Sequence, residues 1–414
     1  MRLFHTSDWH LGRGLYNYER YYEHQCFLDW LLDQLENSRP DALLIAGDIF
    51  DNSNPSAESQ RQFYQFLRET QRRTPQINII IIAGNHDSPG RLEAPAPVLN
   101  TLGVTVVGTL PRKTNGEIHL KRLITPIKDA HQDILGYCVT VPFLRPGDIN
   151  YGKDGASYLE NIRLLYQDCI EYAATRKENQ QALIALTHCY INGCEISPDS
   201  ERKITIGGLD ALSTEIFDSS LDYVALGHLH RAQTVAGKDS IRYSGSPLPL
   251  SFSEMTYHHQ IIQVDIEPGA PLRITPLLIP RSVEFLRIPE QAAPLNAVLK
   301  ALSAFRPDKI PQEVWPYLQV PVQVTDPQLD LSVQIEEALK NKCVRLTKID
   351  LHRPTLLEDI EENSLQSLDD LTHIRPSDIF RKLYLERYHA EPTKELMDAF
   401  QELLQIEEDL RSSK

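Results

Sequence analysis

An α/β fold of two facing mixed sheets flanked by helices, with a small α+β unit and C-terminal helices after it, is what this 414-residue sequence predicts. Three observations predict it. Apolar runs alternate with amphipathic stretches through the first hundred residues, β-type runs prevail from there to about residue 280, and a strand–helix–strand–helix–strand set then precedes two amphipathic segments. The expected divisions are 1–280, 281–352 as a capping domain, and 353–414 as a helical, partner-binding region.

Leu3 to Thr6 reads as a short strand. The helix after it carries Phe27, Trp30, Leu31 and Leu35 on one face and is broken by Arg39-Pro40-Asp41. Ala42 to Ala46 is wholly apolar, the pattern of a strand buried on both faces. A helix bearing Phe63, Phe66 and Leu67 and the run Ile77 to Ala83 complete a βαβαβ order, which implies parallel strands. Residues Val104 to Val141 are β-rich, with a hairpin turn signal at Asn115-Gly116. A helix over Tyr158–Thr175 leads to strands at Ala182 to Leu186 and Tyr223 to Leu226. In the small unit, strands at Val283–Ile288, Trp315–Val324 and Val344–Leu351 alternate with helices at Ala293–Phe305 and Ser332–Lys340. The tail offers one helix with Ile379, Phe380, Leu383, Tyr384 and Tyr388 and another with Leu396, Phe400, Leu403 and Leu404, the latter capped by Thr393.

The N-terminus lacks the apolar core of a signal peptide, and no apolar run approaches the roughly 18 residues of a membrane span, so a cytoplasmic protein with no membrane contact is expected. Six scattered cysteines form no disulfide framework and no CxxC pair; Cys189 and Cys194, close to His188, read as small buried residues. The net charge of −15 argues against a simple nucleic-acid-binding module, yet residues 355–414 alone hold 15 acidic and 7 basic side chains. A pair of bound cations would add about four positive charges to the rest, so a phosphate-rich substrate stays open.

Five polar clusters each follow an apolar run: Asp8-Trp9-His10, Gly47-Asp48-Ile49-Phe50-Asp51, Gly84-Asn85-His86-Asp87, Thr187-His188 and Gly227-His228-Leu229-His230. Functional groups of open α/β sheets gather beyond the carboxyl ends of strands, where these clusters fall. The glycines before Asp48, Asn85 and His228 would let the backbone turn sharply. Taken singly, Asp8 reads equally as a turn residue, His10 as a surface histidine, Asp48 and Asp51 as helix caps, and His188 as a satisfied core histidine. Asn85-His86-Asp87 would be costly to bury without partners. Together the clusters point to a two-cation centre for phosphate esters, with one carboxylate bridging, and Asp48 is central enough in the order for that. Imidazole, carboxylate and amide donors without thiolates suit manganese or iron better than calcium or structural zinc.

The pattern D-x-H, G-D-x-x-D, G-N-H-D, a lone His and G-H-x-H resembles that of the calcineurin-like metallophosphoesterases. Residues His5 to Gly12, Val141 to Pro146, Asp222 to His228 and Tyr243 to Pro247 make the chain similar, within that superfamily, to the SbcD family over residues 1–255; the remainder agrees in layout. The resemblance implies the calcineurin-like phosphoesterase fold. It implies one metal held by Asp8, His10, Asp48 and His230, and another by Asp48, Asn85, His188 and His228, with two Mn2+ ions foremost. His86 would contact the scissile phosphate and assist the leaving group, with Asp87 orienting it. Where many archaeal and eukaryotic relatives have a second histidine, this chain has Asp51, which would orient His86 or cap a helix.

For function the resemblance implies a Mn-dependent nuclease, exonuclease and endonuclease, acting on DNA ends and hairpins in recombination and repair. It would work as a homodimer within a heterotetramer with an SbcC-like coiled-coil ATPase docked on the C-terminal helices. Two other readings stand beside it: a stand-alone dinuclear metallophosphoesterase for nucleotides or phosphoproteins, and a non-catalytic DNA-end scaffold. Intact donors at all seven positions argue against the last. Arg13, Arg61, Arg91, Arg145 and Arg231 fall near the clusters, as phosphate contacts or as ordinary solvated arginines. The tail's apolar faces either dock the ATPase or pack within the chain.

Overall fold

The computed structural model describes residues 1–151, 156–197, 211–324 and 330–352, with scattered positions between 380 and 400. The chain separates into two units, Met1–Arg353 and Pro354–Lys414.

The first unit opens as expected. Strands β1 (Arg2–Thr6), β2 (Ala42–Ala46) and β3 (Asn78–Ile82) alternate with helices α1 (Tyr21–Ser38) and α2 (Ala57–Arg73). Short helices α3 (Pro89–Glu93) and α4 (Ala96–Leu99) then lead to β4 (Val104–Val107), and β1 to β4 lie side by side in parallel register. Every residue of β2 is buried, and the two-residue period explains why. Leu43 and Ile45 join Phe4, Ile79, Ile81 and the inward faces of α1 and α2. Leu44 and Ala46 turn the other way, with Leu3, Ile80 and Ile82, onto the second sheet.

That second sheet begins within the β-rich stretch, with β5 (Ile124–Lys128) and β6 (Ile134–Val141). Helix α5 (Tyr158–Ala174), β7 (Ala182–His188), β8 (Tyr223–Gly227), β9 (Gln233–Val235) and β10 (Lys238–Tyr243) follow. Its order is β5-β6-β7-β8-β10-β9, with β6, β7, β8 and β10 parallel. The turn at Asn115-Gly116 forms, with Gly116 at φ +87°, but it joins no ladder longer than the single bridge Arg112–Ile118. Strands β11 (Gln260–Asp265) and β12 (Arg273–Leu278) return to the first sheet, β11 antiparallel to β1. His5 ties the two sheets together. Its Nε2–H donates to the Leu226 carbonyl (3.1 Å) and its Nδ1 accepts from the Tyr223 hydroxyl (2.9 Å), so this histidine is structural.

A third, parallel sheet follows in the same unit: β13 (Phe285–Arg287), β14 (Ala293–Pro294), β15 (Tyr317–Gln323) and β16 (Arg345–His352), with helices α6 (Leu295–Ala304) and α7 (Leu331–Leu339) over a small core of Val298, Leu302, Val320 and Ile335. A seam of Leu15, Phe252, Val283, Phe285 and Tyr317 joins it to the first two sheets.

In the second unit, Phe380 stacks on Phe400 with centroids 4.1 Å apart, and the Thr393 hydroxyl accepts the Leu396 N–H at 3.4 Å, the expected cap. One aromatic residue of each segment's apolar face thus meets the other there. Ile379, Leu383, Tyr388, Leu403 and Leu404 lie outside the described residues. No helix among the described residues is long and apolar enough to cross a membrane.

Candidate metal centre

All five clusters sit at the carboxyl ends of strands, as the sequence predicts: three just past β1, β2 and β3, Thr187-His188 as the last residues of β7, and His228-Leu229-His230 directly after β8. The first two loops continue the ladder of their strands: Asp8 N–H donates to Gly47 O, His10 N–H to Asp48 O and Leu11 N–H to Ile49 O, all at 2.9–3.0 Å. Between the two upturned donors Asp8 and His10, Trp9 points down. Its ring is fully buried edge-on against Phe27 and Phe66, and its Nε1–H bonds Thr6 Oγ1 at 2.9 Å. The loop is thereby anchored in the helix-side core.

The backbone is strained where the donors converge. Asp8 (φ +54°), His10 (+46°), Asp48 (+51°) and His228 (+111°) all adopt conformations that L-residues avoid, at about 1–3 kcal/mol each. Gly47 turns the chain at φ +85°, as expected. Gly84 and Gly227 are glycines for a different reason, which corrects the sequence reading. Both have ordinary φ, but a Cβ on Gly84 would strike the Asp48 carboxylate, and one on Gly227 would strike the Ala46 carbonyl and His188 Nδ1. Gly227→Ala is accordingly expected to cost about 1–3 kcal/mol of stability. Thermal unfolding of the metal-free protein measures it, and an unchanged melting temperature would contradict it.

The side chains supply lone pairs with too few protons to share. His188 Nδ1–H donates to the Ala46 carbonyl at 2.7 Å, which leaves the lone pair on Nε2. That Nε2 lies 2.9 Å from Asn85 Oδ1 and 3.5 Å from Asp48 Oδ2. His228 Nδ1 lies 2.9 Å from the same Asn85 oxygen. Both ring nitrogens of fully buried His10 have no hydrogen-bond partner, although Nε2 is 3.7 Å from Asp48 Oδ2 and Nδ1 is 3.4 Å from Asp51 Oδ1. Leaving such a group unsatisfied in the interior costs a few kcal/mol, and a cation removes the deficit. Asp8, His10 and His230 each place a donor atom within 4.8 Å of the others, as do Asp8, Asp48 and His188. The residues present therefore fit divalent cations.

Electrostatics agree. Burial holds the imidazoles neutral, lowering His10 to about 4 and His228 to about 3, with His188 shifted the same way. Burial and the neighbouring Asp48 push the Asp8 carboxyl well above its usual range, so full ionisation of the pair calls for positive charge between them. Asp8, His10, Asp48, His188 and His230 are buried, whereas Asn85, His86 and His228 are partly exposed. The centre thus opens to solvent on the Asn85–His86–His228 side.

Two expected roles are revised and a third is refined. The Asp87 carboxylate does not touch the His86 ring. It accepts the N–H groups of Gly84 (2.9 Å), Ile49 (3.2 Å) and Phe50 (3.0 Å), pinning the Asp48 and Asn85 loops to each other. Burial and Asp48 push it up to about 7. Asp51 orients His86 through its main-chain carbonyl, which accepts His86 Nδ1–H at 2.8 Å, while its carboxylate faces His10 and Arg13 (3.1 Å). Neither Asp48 nor Asp51 caps α2; Ser56 does, accepting the Ser59 N–H at 3.1 Å.

Two residues at the centre escaped the sequence reading. Phe143 lies stacked at 6.4 Å over His228 and edge-on to His188, with Arg145 over its ring; Arg145 also donates to the Asn85 carbonyl at 3.1 Å. Glu254 holds His230 Nδ1 at 3.2 Å. Of the other arginines, Arg13 pairs with Asp51, Arg91 with Asn54 and Arg231 with Glu195, and Arg61 is exposed. All six cysteines are free, and burial pushes the Cys189 thiol up to about 12.

Paired sheets whose strand ends converge on carboxylate, carboxamide and neutral imidazole donors define a metal-dependent hydrolase. The family model for calcineurin-like phosphoesterases matches residues 1–232, and one for the Type 5 capsule protein repressor C-terminal domain (SbcD_C) matches residues 281–388. The SbcD component of the nuclease SbcCD in Rhodobacter capsulatus is 37% identical over 92% of this chain and 93% of its own. Its namesake in Bacillus subtilis is 29% identical over 97% of each, and that of Escherichia coli K12 35% identical over 61% of this chain and 62% of its own. The chain belongs to the calcineurin-like phosphoesterases and, among them, to the SbcD family.

Proposed function

We propose that this protein is a Mn-dependent nuclease that cleaves DNA ends and hairpins as the nuclease component of a complex with an SbcC-like ATPase. The observation that carries the proposal is the convergence of Asp8, Asp48, His188 and His230 with buried, unsatisfied His10, and of Asn85 and His228 beside His188. The names of the relatives, each a component of the nuclease SbcCD, support the substrate and the partner. Asp8, His10, Asp48 and His230 would hold one cation, and Asp48, Asn85, His188 and His228 the other, Asp48 being common to both sets. Two such cations, when bound, supply an activated water and charge stabilisation for the phosphoryl oxygens.

The chain's own residues do the rest. Phe143 fixes the rings of His188 and His228. The Asp51 carbonyl takes His86 Nδ1–H, so Nε2 is the ring atom left for substrate, and the ring in its imidazolium form would pass the Nε2 proton to the departing oxygen. Arg145, at the open side, is placed to meet a phosphate. Residues 281–352 act as a capping domain.

Plasmid and hairpin DNA, assayed beside a small chromogenic phosphodiester with and without manganese, test this. Manganese-dependent cleavage of both DNAs is expected. Turnover of the small ester or of nucleotides without DNA cleavage would instead favour a stand-alone phosphoesterase, and no turnover a scaffold. Deleting residues 355–414 is expected to abolish association with the ATPase in pull-down while sparing the small ester; persistence of the complex would exclude tail docking.

A further inference from the structure

A buried polar chain runs from the third sheet to the metal centre. At its inner end, Glu254 uses both oxygens: Oε1 lies 3.2 Å from His230 Nδ1, and Oε2 accepts the Leu250 N–H at 2.7 Å. One residue back, the Pro249 carbonyl accepts Arg20 Nη1–H at 2.5 Å. Arg20 forks onto Glu23 with Nε–Oε1 2.8 Å and Nη2–Oε2 2.7 Å. At the outer end the Tyr317 hydroxyl, from β15, donates to Glu23 Oε1 at 2.7 Å. Arg20, Glu23, Glu254, His230 and Tyr317 are all at most 4% exposed. Phe252, on the same short helical turn as Glu254, packs at 5.1 Å against Phe285 of β13.

We propose that Glu254 is the positioning residue of His230, and that the Arg20–Glu23–Tyr317 chain makes its placement depend on the seating of the third sheet. A buried ion pair is weak evidence of stabilisation, because desolvation offsets attraction. What such a chain does well is fix geometry. A carboxylate on Nδ1–H sets the imidazole tautomer, aims the Nε2 lone pair at the site shared with Asp8 and His10, and raises its basicity. Glu254 is fixed by Leu250, Leu250 follows the peptide held by Arg20, and Arg20 is held by a carboxylate that the third sheet itself contacts. The affinity of one cation site is therefore set in part from outside the catalytic sheets.

The inference rests on His230 being a metal ligand, and manganese titration of the full chain, by calorimetry and by electron paramagnetic resonance, separates the two questions. That reading requires wild type to bind two cations; wild type binding one or none overturns it and this proposal together. With two bound, Glu254→Gln, which keeps shape and folding, is expected to weaken one site about 10–100-fold and leave the other unchanged, with little effect on metal-free melting. Tyr317→Phe, which keeps the ring, should weaken the same site about two- to fivefold, the lower part of the range for one net hydrogen bond. Both sites unchanged in Glu254→Gln, or both weakened alike, overturns the positioning role. A wild-type titration of Tyr317→Phe overturns the link to the third sheet.

Discussion

His86→Ala is expected to lower turnover about 10²–10⁴-fold while the chain still binds two cations. The ring occupies the half-exposed side of the centre, and its Nδ1–H is taken by the Asp51 carbonyl, which leaves Nε2 for substrate. A donor atom of His86 also comes within 4.8 Å of donor atoms of His10 and Asp48, which makes a ligand role the competing reading. Two measurements on one variant separate them. Manganese titration should give the wild-type stoichiometry and affinities, and steady-state cleavage of a small phosphodiester should show the loss in kcat rather than in KM. A lost or strongly weakened cation would mean that His86 is a ligand, and unchanged kcat would mean that it takes no part in proton transfer.

Asp48→Asn is expected to cost at least about 10³-fold in turnover, several kcal/mol of transition-state stabilisation, and to reduce bound manganese below two per chain. Asp48 Oδ2 lies 3.7 Å from His10 Nε2 and 3.5 Å from His188 Nε2, and the His86 N–H holds its Oδ1 at 2.8 Å. The metal-free protein should respond less. Burial is the main cause that raises the Asp8 carboxyl and Asp48 a lesser one, so the variant relieves some repulsion. It also loses the Asp48 carboxylate, which His188 and His10 hold down to about 2 against its burial, so metal-free melting should hold or fall slightly. Added manganese raises the melting temperature of wild type, because ligand binds the native state; most of that rise should vanish in the variant. A variant that loses stability without metal yet retains the manganese-induced rise would contradict the bridging role.

Much of this centre is legible in the sequence because its donors sit at the ends of unmixed apolar runs. Ile79 to Ala83 followed by Asn85-His86-Asp87 leaves polar groups with nowhere to go but a shared site. The parallel order of β1, β2 and β3 follows from the alternation of strand and helix. What escapes depends on contacts distant in sequence. Nothing local marks β11 as the partner of β1, some 260 residues away, or Glu254 as the support of His230. Nor does composition announce left-handed backbone at Asp8, His10, Asp48 and His228, since the interlocked loops impose it rather than any propensity of those residues. Asp87 misleads because a carboxylate beside a histidine in sequence suggests a side-chain pair, whereas its oxygens are consumed by three backbone N–H groups. The Ser56 cap does carry a sequence signal, a serine three residues before Ser59 at the start of α2, but the aspartates just upstream mimic it.

Seven side chains holding two cations across one shared carboxylate is the arrangement on which every role above depends. Crystals of the full chain soaked in manganese, measured at the manganese absorption edge, test it directly. Two anomalous peaks about 3.5–4 Å apart are expected, one beside Asp8, His10 and His230, the other beside Asn85, His188 and His228, with Asp48 touching both. A single peak, or a peak coordinated by His86, would contradict it.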